Sequence, residues 1–426
     1  MSTLDSKQNS LAHQWPSIAY LFKWIFLCSI IGVIVGSASA GFLISLEWVT
    51  QLREAHVWLI ALLPLAGLGI GLLYHYYGKS VEAGNNLLID SIHHPAHTIP
   101  FRMAPFVYLG TMVTHLFGGS AGREGTALQM AGGLVDPIGR WLKLCDEDRR
   151  VLLIASVAAG FGAVFGTPLA GAVFSMEFFL TGKIRYNAIF PAFLAAIIAN
   201  YVTVLWPVQH THYSITSIPA VNPLNLIYSL LAGIVFGLCA LLFTKFMHGL
   251  TAFFKSKISY SPLRPVVGGS IVALAIYGLG TTKYIGLGIP SIVDSFNHMQ
   301  PTYVFVLKIL LTVITLSAGF KGGEVTPLFF IGATLGSALS CCIPLPTALL
   351  AGMGFVAVFA GATNTPLACM LMGIELFGVE SGVYIAIACV VAYLVSGHNS
   401  IYSKQRIGES KSSQWIQHEG NAMNEL

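Results

Sequence analysis

Long apolar runs dominate this chain, and their length decides what it can fold into. Runs near 22–49, 57–77, 151–180, 187–206, 226–252, 303–319, 346–377 and 381–396 each hold few or no charges. About 20 apolar residues in a helix suffice to cross the hydrocarbon core of a bilayer. A helix pairs its backbone N–H and C=O groups within itself, so lipid can replace water around it. Only 9% of residues are charged and 55% are hydrophobic, whereas soluble domains average about 25% charged. So few charges cannot cover a water-facing surface of this size. The chain is predicted to be an all-α, multi-pass membrane protein.

Other function classes fit poorly. The net charge of +4 is spread out, with no Lys/Arg block and no basic aromatic stripe, so no nucleic-acid partner is expected. The seven cysteines lie mostly in apolar runs, with neither zinc-type spacing nor a disulfide framework. No Ser/His pair, HExxH or paired catalytic aspartate stands out, so an enzyme is not expected. His93, His94 and His97 with Asp90 are the nearest thing to a metal cluster, but Pro95 breaks the helix that would align them. We expect neither metal nor cofactor. His115 sits in an apolar stretch and reads as a packing residue. Met1 to Pro16 is polar and lacks the apolar core and cleavage site of a secretory signal. Residues 1–20 are expected to be a cytosolic segment, and 408–426 a short polar tail.

Shorter, Gly/Pro-broken apolar segments lie near 84–92, 105–117, 124–142, 264–280 and 324–341. Interrupted segments in matching positions of two halves point to the central site of a transporter. Such halves are visible here. Gly84-Asn85-Asn86-Leu87-Leu88-Ile89-Asp90-Ser91 matches Gly288-Ile289-Pro290-Ser291-Ile292-Val293-Asp294-Ser295. Gly122-Arg123-Glu124-Gly125-Thr126 matches Gly322-Gly323-Glu324-Val325-Thr326. Phe165-Gly166-Thr167-Pro168-Leu169-Ala170 matches Thr363-Asn364-Thr365-Pro366-Leu367-Ala368, and Met176-Glu177-Phe178 matches Ile374-Glu375-Leu376. The blocks keep their order at an offset of about 200 residues, as internal duplication requires. The expected organisation is a repeat over 21–210 and a second over 211–407. Repeats that each cross an odd number of times lie inverted in the membrane.

These segments suit one kind of cargo. A helix N-terminus presents unpaired N–H groups and the positive end of the dipole, and so binds anions without fixed cations. Gly84-Asn85-Asn86, Gly122-Arg123-Glu124-Gly125-Thr126 and Gly322-Gly323-Glu324-Val325-Thr326-Pro327 all have this form. An acid at membrane depth is costly and marks function. Glu124, at a glycine-flanked helix start, reads as a charged surrogate for the anion, released by protonation. Glu177 and Glu375 occupy matching positions and read as structural.

Gly122-Arg123-Glu124-Gly125 resembles the glutamate-gate signature of the CLC family of chloride channels and proton-coupled antiporters. Thr167-Pro168-Leu169-Ala170-Gly171 resembles the family's following helix, and Tyr402 falls where the family places its anion-contacting tyrosine. The resemblance spans residues 20–407. It implies a fold of two inverted-topology repeats of tilted and broken helices, a homodimer with one pathway per subunit, and a place in the cell (inner or plasma) membrane.

Three departures resemble the family's fluoride-exporting branch. Asn85 stands in place of a serine, Glu324 replaces an apolar residue, and Thr126 replaces the proline after the gate glycine. The resemblance therefore implies a fluoride/proton antiporter. A chloride/proton antiporter or a passive fluoride or chloride channel is the alternative. Fluoride accepts hydrogen bonds strongly, and Asn85, Thr326 and Tyr402 offer an amide, a hydroxyl and a phenol as donors. Gly125 and Val325 place backbone N–H groups at the same helix starts. Glu124 and Glu324 are assigned gating and proton transfer, a second acid nearby favouring one shared proton. The family's chloride antiporters carry an internal proton-transfer glutamate where this chain has Phe178. Either Glu324 replaces that glutamate or coupling is absent.

Overall fold

The computed structural model describes residues 5–425, with side chains from residue 18 onward. Sixteen α-helices supply nearly all its regular structure. The first half contains α1 (Asp5–Ala55), α2 (Leu63–Tyr76), α3 (Asn85–His93), α4 (Met103–Leu116), α5 (Glu124–Trp141), α6 (Asp146–Phe165), α7 (Pro168–Glu177) and α8 (Ile189–Val204). The second contains α9 (Pro223–Lys257), α10 (Leu263–Leu279), α11 (Ile289–Asn297), α12 (Tyr303–Ser317), α13 (Val325–Leu339), α14 (Thr347–Thr363), α15 (Pro366–Phe377) and α16 (Gly382–Val395). Among the described residues, four helical stretches are long and apolar enough to cross a bilayer unaided: Ile18–Ala55, Val57–Tyr76, Tyr186–Val204 and Pro223–Lys257. The protein is an all-α, multi-pass membrane protein.

Helix α1 begins at Asp5, inside the N-terminal segment expected over 1–20. Residues 1–4 of that segment lie outside the described residues. The run 151–180, read as one span, is two helices. Gly166 ends α6 in the left-handed conformation (φ 74°), and Pro168 opens α7. The run 346–377 divides in the same way, with Asn364 left-handed at φ 58° and Pro366 opening α15. Proline lacks an N–H and fits the first turn of a helix, so the chain turns where an unbroken helix was expected. Broken helices are tolerated at membrane depth where protein surrounds them, and α6 and α14 are almost wholly buried.

Close backbone contact seals this interior. A Cβ on Gly332 of α13 would lie 2.0 Å from the Gly354 carbonyl oxygen of α14. Only glycine lets two membrane helices approach that closely.

α7 and α15 cap one another. The Glu177 carboxylate at the end of α7 accepts from Leu367 N at 3.2 Å and Ala368 N at 3.0 Å, both in the first turn of α15. Glu375, on α15, accepts from Leu169 N at 3.0 Å and Ala170 N at 2.8 Å in the first turn of α7. Each acid satisfies N–H groups that a helix start leaves unpaired. Glu177→Ala should lower the thermal midpoint of the protein in detergent, since each hydrogen bond lost at this buried helix start costs about 0.5–1.5 kcal/mol. An unchanged midpoint would contradict the capping role.

The tail from residue 408 folds back onto the body. Gly420 N donates to Ile407 O at 2.7 Å, and Met423 N to Gln405 O at 2.9 Å. Arg406–Ile407 also pairs in parallel with Leu180–Thr181 at the end of α7.

Candidate functional site

The starts of α5 and α13 meet tip to tip. Gly122 N donates to Gly323 O at 2.6 Å, and Gly323 N donates to Gly122 O at 2.8 Å. A Cβ on Gly122 would lie 2.9 Å from the Gly323 oxygen, so glycine is needed for this approach. The positive ends of two helix dipoles, one from each half of the chain, converge there.

Glu124 is the first residue of α5 and is fully buried. Its carboxylate crosses to the other half. Thr326 Oγ1 donates to Oε1 at 2.5 Å, and Thr326 N donates to Oε2 at 3.0 Å. Arg123 N adds a third donor at 3.1 Å, and Arg123 Nε lies 3.6 Å from Oε1. The acid was expected to stand in for an anion, with no donors assigned to it. Two of its three hydrogen bonds come from the start of α13.

Three other assigned residues converge beside it. A Cβ on Gly125 would lie 2.9 Å from Asn85 Nδ2 and 3.4 Å from Glu324 Oε2. Asn85 opens α3, and Glu324 immediately precedes α13. Asn85 Oδ1 and Glu324 Oε2 are buried with no hydrogen-bond partner, which is unusual for interior polar atoms. The Val325 side chain is fully buried, and the residue adds the first N–H of α13.

Tyr402 is buried with its phenol unpartnered. Its segment is bound to the α3 start, since Lys404 N donates to Asn86 Oδ1 at 3.0 Å. The fully buried Gln405 reinforces it, donating through Nε2 to Phe178 O and Thr363 O at 2.8 Å each and accepting from Asn364 Nδ2 at 3.0 Å.

Asn86, Asn364 and Gln405 were not singled out from sequence. Asn364 offered one signal: it stands in the second half where the first has Gly166, at a left-handed helix end. Phe178 has a clear setting. It stacks on Phe174 at 5.2 Å and meets Tyr402 edge-on at 5.9 Å. Phe174 continues to Phe161 at 4.4 Å and Phe359 at 5.7 Å. The position of the missing glutamate is filled by an aromatic column.

On the other side of Glu124 lies a cavity of about 20 Å³, walled by Phe165, Tyr213, Phe329 and Phe355 with Thr326. That is room for about one water. It shares Arg123, Thr211 and Ile289 with a cavity of about 590 Å³ that also exposes Arg53 and Lys283. Glu124 thus lines the smaller of two adjoining cavities, and the larger carries charges of both signs, Glu47 and Glu54 beside Arg53, Arg123 and Lys283.

The histidines lie elsewhere. His93 Nε2 pairs with Phe179 O at 2.9 Å, His97 Nδ1 with Asp90 Oδ2 at 2.6 Å, and His94 Nε2 accepts from Arg406 at 2.7 Å. His115 is fully buried and reaches Gly122 O at 3.3 Å, beside the start of α5.

The sequence profile of the family described as Voltage gated chloride channel matches residues 66–397. A chloride/fluoride channel protein of Pseudomonas syringae pv. tomato is 53% identical over 404 residues, covering 93% of this chain and 89% of its own length. The crystal structure of a CLC-type fluoride/proton antiporter superposes with a TM-score of 0.88 at 34% identity, covering 91% of this chain and 98% of that one. A slow cyanobacterial Cl⁻/H⁺ antiporter superposes with a TM-score of 0.76 at 21% identity, covering 88% and 94%. At that identity the likeness is one of fold alone.

Proposed function

The chain belongs to the voltage-gated chloride channel family, and on that premise we propose that it is a fluoride/proton antiporter that exports fluoride from the cell. One observation carries the reading. The Glu124 carboxylate takes two donors of Thr326, at 2.5 and 3.0 Å, at the start of a buried helix. An acid that holds an anion's donors competes with that anion. When ionised, Glu124 fills the site. Protonation removes the charge that holds it there, so the side chain leaves with its proton and fluoride takes the donors. The two ions therefore exchange at one place.

Fluoride rather than chloride fits the donors that converge there. The Asn85 amide, the Thr326 N–H and hydroxyl, and the Tyr402 phenol supply strong hydrogen bonds to a small, tightly hydrated ion. Glu324 in its protonated form donates an O–H to the ion; ionised, it repels it. We assign proton carriage to Glu124 and Glu324 together, with anion contact by Asn85, Gly125, Val325, Thr326 and Tyr402. The relatives with fluoride in their names support the same cargo.

The matched helix pairs α3/α11, α5/α13 and α7/α15 support two repeats, over 21–210 and 211–407, inverted in the membrane. The protein works in the cell membrane as a homodimer with one pathway per subunit. Leu169, Ile197, Leu367 and Val390 offer an exposed apolar face on α7, α8, α15 and α16. Its role is transport rather than catalysis.

Phe178 favours a second reading, a passive fluoride channel, because it removes the internal acid of the chloride antiporters. The relative from P. syringae is named a channel protein. One assay separates the two. Purified protein in liposomes is followed by fluoride electrode and pH electrode together. In antiport a fluoride gradient drives protons uphill against their own gradient. Fluoride flux without proton movement makes the protein a channel, and faster chloride flux overturns the assignment of fluoride.

A further inference from the structure

We propose that a second, separate cavity holds a phosphate-bearing headgroup. It lies among the ends of α2 and α9, the start of α10 and the end of α12, has a volume of about 580 Å³, and shares no lining residue with the cavities beside Glu124. Lys79, Lys255, Arg264 and Lys321 line it with His75, against a single acid, Glu82. Among the described residues, none of these four cations forms a salt bridge. In a chain with 9% charged residues, four cations around one acid make a strongly anion-attracting hollow.

The cation heads are placed rather than scattered. Arg264 Nε donates to Ile258 O at 2.9 Å, which fixes the guanidinium and leaves its other two nitrogens for a ligand. Lys321 Nζ lies 4.0 Å over the Tyr74 ring. His75 Nδ1 pairs with Ser261 Oγ at 3.0 Å and ties α2 to α10. Arginine and lysine held this way suit phosphate oxygens, the first in bidentate geometry and the second as a point charge.

The surroundings set the level in the membrane. Tyr76, Tyr77 and Tyr260 are exposed beside the cavity, as aromatic residues are at the membrane–water boundary. Along α10, Leu263, Val267, Ile271 and Leu274 are exposed and apolar. A phosphate seated among the cations places its attached chains along that helix. The chemistry fits a phosphodiester of an anionic lipid or a soluble phosphate ester.

The test uses the full chain in native mass spectrometry, titrated with phosphatidylglycerol and separately with glycerol phosphate. K79Q/K255Q removes two exposed ammonium groups that bond to no described residue, so folding is retained; R264Q is the second variant. Phosphatidylglycerol should stay bound to the parent and bind about tenfold more weakly to either variant, the expected loss for charge-assisted contacts. Retention that glycerol phosphate does not displace identifies a lipid source. Displacement by glycerol phosphate identifies a soluble one, and both uphold the site. Equal binding by parent and variants overturns it. So does a several-fold loss of fluoride flux by K79Q/K255Q in phosphatidylcholine vesicles, which would assign these cations to ion entrance. The binding readout stands whether or not the protein proves to be an antiporter.

Discussion

Glu124→Gln should abolish fluoride-driven proton movement, leaving proton uptake at the level of protein-free liposomes. Glutamine keeps the size and the Thr326 Oγ1 contact of the native side chain but cannot carry a proton across the exchange step. Its NH₂ group also competes with donors, because Thr326 N and Arg123 N both point at Glu124 Oε2. The variant therefore loses the alternation between a charged side chain that fills the site and a neutral one that leaves it. The measurement is the initial rate of alkalinisation or acidification driven by a fluoride gradient, with fluoride flux recorded in the same vesicles. Uphill proton movement that survives in the variant would remove Glu124 from the coupling step. Phe178 raises the weight of this result. Its ring fills the position of the other acid, between Phe174 and Tyr402, so the proton has Glu124 and Glu324 and no carboxylate at 178.

Much of this site was legible because it is encoded locally. Each half writes glycine, acid and small residues at one helix start, and the structure brings Gly122 and Gly323 into direct backbone pairing. The apolar runs likewise revealed a multi-pass helical protein, since lipid exposure leaves a compositional mark on every turn. Features settled by distant partners were misread or missed. Gly166 and Asn364 interrupt apolar runs that hydropathy alone joins, because a left-handed helix end takes one residue and is averaged out over a run of span length. Glu177 and Glu375 read as structural, but their exchange of caps between α7 and α15 exists only in three dimensions. Gln405 was not singled out from the sequence. It is fully buried and bonds to Phe178, Thr363 and Asn364. Satisfying backbone carbonyls from afar leaves no periodicity to read.

Glu324→Ala and Asn85→Ser should each erode the preference for fluoride over chloride by about 10- to 100-fold, the factor for one strong hydrogen bond to a charged ligand at about 1.5–3 kcal/mol. Both polar heads converge on Gly125, within 2.9 and 3.4 Å of where its Cβ would lie. Fluoride is the better hydrogen-bond acceptor of the two ions and loses more when a donor is removed. Glu324→Ala also opens space where a larger ion fits, so its effect should exceed that of Asn85→Ser. The check is a pair of flux measurements, fluoride and chloride, on each variant in the same liposome preparation, expressed as a ratio. Thermal midpoints of the variants separate a lost donor from a lost fold. A ratio unchanged in both variants would mean that these side chains do not touch the ion. Selectivity would then rest on the Thr326 donors that Glu124 occupies and on the phenol of Tyr402.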